Sequence, residues 1–382
     1  MSDAAESSKP LTSLLETSKA ACDSIGILVR RFYLAINSDT STLKADKSVF
    51  TIADGIVQEL LSEYLFAGPG KFSAIVGEEE ESNVNIKNRP YFVDNLKVPP
   101  EFEDLIDKTR NTVVALGSRI PAGVFSELTV FIDPIDGTRE FSTGKGTQSS
   151  ICIGFAGADG RPVAGLVYRP IPTDSCDMST TAETSETSNS PRIALCTWAA
   201  GAASEACAIG NLDSAQIPST SGFLTTNGAI SKFTEALMEE LQYQRVPSGG
   251  AGNKMLMLLE GKGAVYIQDR GVSRWDTCGA QAVIEAYGGT LCRLDTFLHL
   301  KALTSYTYKK SETNADFVPA LSELTVYNAR DPKGVVKGAP PIRAQRSEQV
   351  KIYANLNGLF AVSPAGICCV SSSSSTNLVL LS

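Results

Sequence analysis

The chain of 382 residues is long enough for one large domain or two of ordinary size, and 43% hydrophobic with 20% charged residues is the make-up of a folded protein with a sizeable core. A formal net charge of -8 argues against a nucleic acid duplex or a membrane surface as partner, so any anionic ligand would need local positive charge, which bound metal ions can supply. The nine cysteines are scattered without a CxxC pair, as in a cytoplasmic chain with reduced thiols, and the single histidine, His299, excludes zinc sites built on several histidines.

The start, Met1 to Pro10, is polar and carries acid, unlike a secretory signal, and no apolar run reaches the ~18 residues a membrane span needs. From Leu11 to about Ile36, apolar residues recur at helical spacing and predict one long amphipathic helix. A second helix is expected to follow Asp54, its N-cap, through Ile56, Val57, Leu60 and Leu61. Phe72 to Val76 reads as a buried strand ending at Gly77, with the acidic run Glu78 to Glu81 directly after it. Leu128 to Ile132 is a further strand, halted by Asp133-Pro134. Ser149 to Phe155 and Val163 to Val167 alternate about Asp159-Gly160, which predicts a hairpin. Asp174 to Ser190 is Ser/Thr-rich and is expected to be a mobile surface insertion. Leu256 to Leu259 belongs to a helix, Ala264 to Ile267 to a strand, and Asp276 to Tyr287 to a helix stopped by Gly288 and Gly289. Val350 to Tyr353 and Leu359 to Val362 read as strands, and the Ser-rich tail is expected to be poorly ordered. Strands and helices mixed along the whole chain predict a layered α/β architecture.

The feature richest in chemistry is Phe131-Ile132-Asp133-Pro134-Ile135-Asp136-Gly137-Thr138. Two carboxylates leave the end of a buried strand at a forced turn, and carboxylates so close repel unless a cation lies between them. Oxygen-only ligands favour magnesium or a similar hard ion. Gly137 and Thr138 could open a helix whose free N–H groups would hold a phosphate. The plain alternative is an Asx-type turn, for which Asp-Pro and Asp-Gly are common pairs. Two other blocks carry acids in telling places: Val76-Gly77-Glu78-Glu79, otherwise a solvated acidic loop, and Arg274-Trp275-Asp276-Thr277-Cys278, otherwise a simple N-cap.

In this order the three blocks, with the strip Phe50 to Asp54 upstream, resemble the inositol monophosphatase superfamily of magnesium-dependent, lithium-sensitive phosphatases, over about Asp46 to Gly289. Within it, Gly249 to Lys254, Glu260-Gly261-Lys262, Trp275 to Cys278 and Arg139-Glu140-Phe141 are most similar to the 3'(2'),5'-bisphosphate nucleotidases, with the inositol polyphosphate 1-phosphatases second. The chain departs from animal nucleotidases at Thr225 to Ser231, where their Ser-His-Ser strip has no counterpart. That departure leaves the substrate open between a nucleotide and an inositol phosphate.

The resemblance implies an αβαβα layered sandwich of the inositol monophosphatase and fructose-bisphosphatase type. It implies residues 1–170 as an α+β part with most metal ligands, 191–365 as an α/β part, and 171–190 and 366–382 as flexible. Glu78, Asp133, Asp136 and Asp276, with the carbonyl of Ile135, would hold two or three Mg2+ ions. Thr138, ordered by Asp54, would orient the attacking water, and Glu79 would tune the ligands. Gly137, Thr138 and Lys254 would contact a small phosphorylated substrate. A haloacid dehalogenase phosphatase, built on Asp-x-Asp-Gly-Thr, fits less well, because here two residues, Pro134 and Ile135, separate the aspartates. A non-catalytic phosphate-binding protein is disfavoured too, since every motif carboxylate is present.

Overall fold

The computed structural model describes residues 9–37, 47–172, 196–213, 218–268, 272–294, 305–309, 325–328, 331–337, 354–355 and 358–364. The expectations for 174–190, 350–353 and the tail 366–382 lie outside the described residues.

Helix α1 (Pro10–Asn37) forms on the predicted period and buries Leu14, Leu15, Ala21, Ile25, Leu28, Val29 and Phe32. Its first turn is closed from far along the chain: the Glu205 carboxylate accepts from the N–H groups of Leu11 (2.9 Å) and Thr12 (2.8 Å) and from Thr12 Oγ1 (2.7 Å). Helix α2 (Lys47–Glu59) begins well before Asp54, which is therefore an interior residue and not the expected N-cap. The cause is the apolar face: Ile52 and Ala53 are buried along with Ile56 and Val57, so packing holds the turn before Asp54 helical. The helix runs on into a wider, π-helical turn at Leu60–Phe66.

Next come β1 (Ala74–Gly77), a small antiparallel sheet of β2 (Val84–Asn85), β3 (Phe92–Val93) and β4 (Leu96–Lys97), and α3 (Pro100–Gly117). Then follow β5 (Thr129–Asp136), α4 (Thr138–Ser142), β6 (Ser150–Ala156), β7 (Pro162–Arg169), β8 (Thr197–Ala202) and β9 (Cys207–Gly210). The large sheet has the order β1-β5-β6-β7-β8-β9; β1 and β5 run parallel and the other pairs antiparallel. β6 and β7 are the predicted hairpin. β5 does not halt at Asp133-Pro134 but continues to Asp136. Its register against β6 shifts between Asp133, opposite Cys152, and Asp136, opposite Ser150, so Pro134, with no N–H for the ladder, falls in a bulge. β8 and β9 also pair into this sheet, although they lie beyond the 171–190 segment.

The rest of the chain contains β10 (Gly222–Thr225), α5 (Lys232–Leu241), β11 (Gln244–Pro247), α6 (Ala251–Leu259), β12 (Val265–Gln268), β13 (Val272–Ser273), α7 (Arg274–Ala286) and β14 (Thr290–Arg293). β15 (Thr325–Asn328), β16 (Asp331–Lys337), β17 (Ala354–Asn355) and β18 (Leu359–Val362) complete it. The second sheet is mixed, in the order β11-β10-β12-β18-β14, with β10 parallel to its two neighbours and β18 antiparallel to both of its own.

Side-chain alternation along the large sheet separates the layers. Val130, Ile132, Ile151, Ile153 and Leu166 point to a core with Leu28, Phe32, Ile56 and Ile106 of the first three helices. Phe131, Cys152 and Val167, on the opposite face, meet Met255 of α6, Cys278 and Val283 of α7, and Tyr266 and Leu291 of the second sheet. Close contact of α7 with β6 and β7 needs Gly154, Gly165 and Gly279, where any Cβ would strike backbone. Leu237 and Met238 of α5 cover the outer face of the second sheet over Phe223, Val265 and Phe360. The stack is the expected αβαβα sandwich. Among the described residues no helix is long and apolar enough to cross a membrane.

Candidate active site

Three carboxylates meet where β1, β5 and α7 converge. The Glu78 N–H donates to Ile132 O (3.2 Å), which carries the parallel β1–β5 ladder one step past Gly77 and sets Glu78 beside Asp133. Asp276 comes from the first turn of α7. It is not the N-cap: Ser273 caps the helix, and Asp276 Oδ2 accepts the Ser273 N–H (2.7 Å) in a reciprocal capping box. Ligand oxygens of Glu78, Asp133 and Asp276 all lie within 4.8 Å of one another. Asp133 is 1% exposed, and its Oδ1 has no hydrogen-bond partner among the described residues. Burial, then the charge of Asp276, pushes the Glu78 carboxyl up to about 7. Burial pushes Asp276 up to about 6. Burial and the Glu78 charge hold Asp133 well above the usual carboxylate range. A buried acceptor left idle costs about 1–3 kcal/mol unless something satisfies it. Oxygen donors at this spacing, with an idle buried oxygen among them, fit a hard cation such as Mg2+.

Asp136 is placed differently. Past the bulge its carboxylate turns to the start of α6, where Oδ1 accepts from the Ala251 N–H (2.9 Å) and Oδ2 from the Gly252 N–H (2.7 Å) and Ser150 Oγ (3.1 Å). Burial raises its pKa, while Lys254 and the two N–H groups oppose that rise. It lies outside the trio that could share one ion. Gly137 follows in the left-handed region (φ 89°), and a Cβ there would stand 3.1 Å from Gln148 O and 3.3 Å from Gly250 N.

Thr138 opens α4, and its hydroxyl donates to the carbonyl of Ile135 (3.4 Å). No hydrogen bond joins Thr138 to Asp54 among the described residues; the hydroxyl turns to the Ile135 carbonyl instead. Asp54 lies buried on α2, its pKa raised by burial and then by Glu79 and Glu78, so it stands beside the acidic run. Glu79 accepts from Ser82 Oγ (3.0 Å).

A cleft of ≈ 190 Å³ opens beside these groups, lined by Asp136, Gly137, Glu140, Gly249, Gly250, Lys254 and Asp276, with Thr226, Ala251, Gln268 and Val272. Lys254 is 3% exposed; its Nζ donates to the carbonyls of Gly250 (2.7 Å) and Ser248 (3.3 Å) and lies over the Tyr266 ring. Burial pulls its pKa down to about 8, against the pull of Asp136, Glu140 and Asp276. Sequence reasoning missed Gln148 and the tie it makes: Asn227 Nδ2 donates to Gln148 Oε1 (2.7 Å) and Glu140 Oε1 (2.9 Å), and the Gly249 N–H also donates to Gln148 Oε1 (2.8 Å). The only signal for it was the missing histidine strip around Asn227. Three carboxylates able to hold a cation, a lysine and the N-terminus of α4 beside one cleft form an arrangement able to bind a phosphoryl group and polarise it.

The model of the inositol monophosphatase family matches residues 11–323. The human 3'(2'),5'-bisphosphate nucleotidase 1 is 24% identical over 220 residues, which cover 56% of this chain and 64% of that protein. The Dictyostelium discoideum protein of the same name is 26% identical over 222 residues, with 57% and 65% covered. The mouse Golgi-resident adenosine 3',5'-bisphosphate 3'-phosphatase is 24% identical over 229 residues, with 56% and 52% covered. The chain thus spans less than two thirds of the length of each of these relatives. Among solved structures, CysQ from Bacteroides thetaiotaomicron, a bacterial member of the same family, shares the fold with a TM-score of 0.50 at 15% identity, covering 92% of this chain and 97% of that one. An inositol monophosphatase from Zymomonas mobilis does so with a TM-score of 0.51 at 14% identity, covering 94% and 97%.

Proposed function

The chain belongs to the inositol monophosphatase family, and from that premise we propose that it is a magnesium-dependent phosphomonoester hydrolase that removes the 3'-phosphate of adenosine 3',5'-bisphosphate. The observation that carries the hydrolase reading is the trio of buried Asp133 and half-buried Glu78 and Asp276, with the idle Asp133 Oδ1, at the edge of the Lys254 cleft. The nucleotide reading is supported by the bisphosphate nucleotidases among the relatives and by the stretch from Gly249 to Cys278.

In this reading the trio holds the cations, two or three in number, with Asp136 and the Ile135 carbonyl as further ligands. Bound there, magnesium supplies Lewis acidity toward the phosphoryl oxygens and lowers the pKa of water. The Gly137–Thr138 turn holds the phosphate at the start of α4. The Thr138 hydroxyl would leave the Ile135 carbonyl to orient the attacking water, and Asp54, buried beside Glu78 and Glu79, would accept its proton. Lys254 faces the anionic part of the substrate. Displacement is direct, and no covalent phosphoenzyme forms.

A second reading, an inositol polyphosphate 1-phosphatase, is favoured by one observation. Where animal nucleotidases carry a Ser-His-Ser strip, Thr225 to Ser231 of this chain has no histidine, and the Asn227 amide within it is spent on Glu140 and Gln148. A magnesium-dependent phosphate-release assay decides between them. Higher kcat/KM on adenosine 3',5'-bisphosphate is expected; an advantage of about tenfold for inositol 1,4-bisphosphate, worth about 1.4 kcal/mol, would reverse the ranking.

A further inference from the structure

Glu140 is a buried carboxylate on the cleft wall that the reaction just described does not use. It is 8% exposed, and Oε1 accepts from Asn227 Nδ2 (2.9 Å). Its other oxygen, Oε2, accepts no hydrogen bond from the protein among the described residues, and no salt bridge neutralises it there. Two neighbours hold the group in this place. A Cβ at residue 249 would strike Cγ, Cδ and Oε2 of Glu140, so the glycine at 249 is what admits the carboxylate. Asn227 gives its amide donors to Glu140 and to Gln148, and Gln148 is itself fixed by the Gly249 N–H. Tying down the Asn227 loop needs only a neutral acceptor, and Gln148 already supplies one. A second, charged acceptor with a free oxygen at the cleft is more than that tie requires.

A carboxylate at this wall repels a phosphate and attracts a hydrogen-bond donor. Glu140 follows Thr138 by two residues on α4, so the donor it meets lies next to the phosphate held at the start of that helix. The geometry points to Glu140 as a specificity residue whose Oε2 accepts a hydrogen bond from the substrate hydroxyl vicinal to the scissile phosphate. Resting on the nucleotide reading above, that hydroxyl is the ribose 2'-OH, neighbour of the 3'-phosphate. The same contact would reject a substrate bearing a second phosphate at the vicinal position.

The test compares kcat/KM for adenosine 3',5'-bisphosphate and its 2'-deoxy-2'-fluoro analogue at saturating Mg2+, in the wild type and in Glu140→Gln. Fluorine is close to hydroxyl in size but cannot donate. Glutamine keeps the shape and the Oε1 acceptor that Asn227 uses, which leaves its amide N–H groups in place of Oε2. The wild type is expected to favour the hydroxyl substrate by about 10- to 100-fold, the worth of one hydrogen bond to a charged group, and Glu140→Gln to bring the two within a few-fold. Gly249→Ala, which displaces the carboxylate without altering it, is expected to shrink the preference in the same direction. A preference equal in wild type and Glu140→Gln overturns the assignment while the hydrolase reading stands, since a purely structural Glu140 would lower both rates alike. No release of phosphate from the nucleotide by the wild type overturns the nucleotide reading, and this assignment with it.

Discussion

Gly252 donates its backbone N–H to Asp136 Oδ2 at 2.7 Å, and this bond joins the bulged end of β5 to the first turn of α6 across 116 residues of sequence. Asp136 and Asp133 flank one bulge of β5 yet have different work. One fastens two helix N–H groups, and the other keeps a buried oxygen idle beside two further carboxylates.

The difference is measurable as stability of the metal-free protein. Asp136→Ala strands the N–H groups of Ala251 and Gly252 and is expected to cost about 1–3 kcal/mol in urea unfolding with EDTA present. Asp133→Ala removes one of three crowded acids, the buried one with an idle oxygen, and it is expected to leave stability unchanged or raise it. Both variants are expected to lose turnover. Equal destabilisation by the two would show that Asp133 is as fully satisfied as Asp136.

The trio also fixes the sign of the pH dependence. Glu78 is raised from 4.5 to about 7, and Asp276 from 3.8 to about 6. Across that window the folded state binds more protons than the unfolded chain, so stability falls as pH rises. In EDTA, Tm is therefore expected to drop between about pH 5 and pH 7.5. On the proposed reading Mg2+ takes the ionised form of these carboxylates, so it is expected to flatten the drop or reverse it. Identical slopes with and without Mg2+ would remove these acids from the metal site.

How much of this was legible in sequence depended on the range of the forces involved. Apolar periodicity gave α1, because every residue that defines it faces one core. The carboxylate blocks were legible because Glu78 directly follows β1, Asp133 stands at the bulge of β5 and Asp276 lies in the first turn of α7. Where local rules met tertiary packing, packing won: Asp54 has the chemistry of an N-cap but sits inside α2, because Ile52 and Ala53 are buried before it. Asp133-Pro134 looks like a strand stop, yet the pairing of β5 with β6 absorbs it as a bulge. The pairing of Asp136 with Ala251, or of Glu205 with Thr12, is a contact between distant segments, and no local pattern encodes it.

Thr138 and Asp54 carry the proposal about the attacking water. Thr138→Ala and Asp54→Asn are each expected to lower kcat by ~10²-fold or more, the low end of general acid–base contributions. Neither side chain belongs to the trio, so Mg2+ affinity, read by calorimetry, is expected to change less than in Asp133→Ala. Equal loss of Mg2+ affinity in all three would assign the threonine and Asp54 to metal binding instead.

Lys254 yields the prediction that separates recognition from scaffolding. Its ammonium ties the carbonyls of Ser248 and Gly250, so a purely structural lysine would act through the shape of the 248–250 turn. It also lines the cleft beside Asp136 and Glu140, and burial brings its pKa down to about 8. A lowered lysine pKa means that the cation is lost as pH rises through that value. If the ammonium holds an anionic part of the substrate, wild-type KM is expected to be flat below about pH 7 and to climb above about pH 8, while kcat follows a different profile. Lys254→Met keeps most of the side-chain length and removes the charge. It is expected to raise KM by about 10- to 100-fold near neutral pH, the worth of a charged hydrogen bond, and to abolish the climb at high pH. Because a point charge reads charge and not shape, the loss should be alike for adenosine 3',5'-bisphosphate and inositol 1,4-bisphosphate. A KM that keeps its alkaline climb in Lys254→Met would place the titrating group elsewhere. A variant that loses kcat and leaves KM unmoved would reduce Lys254 to the brace of the 248–250 turn.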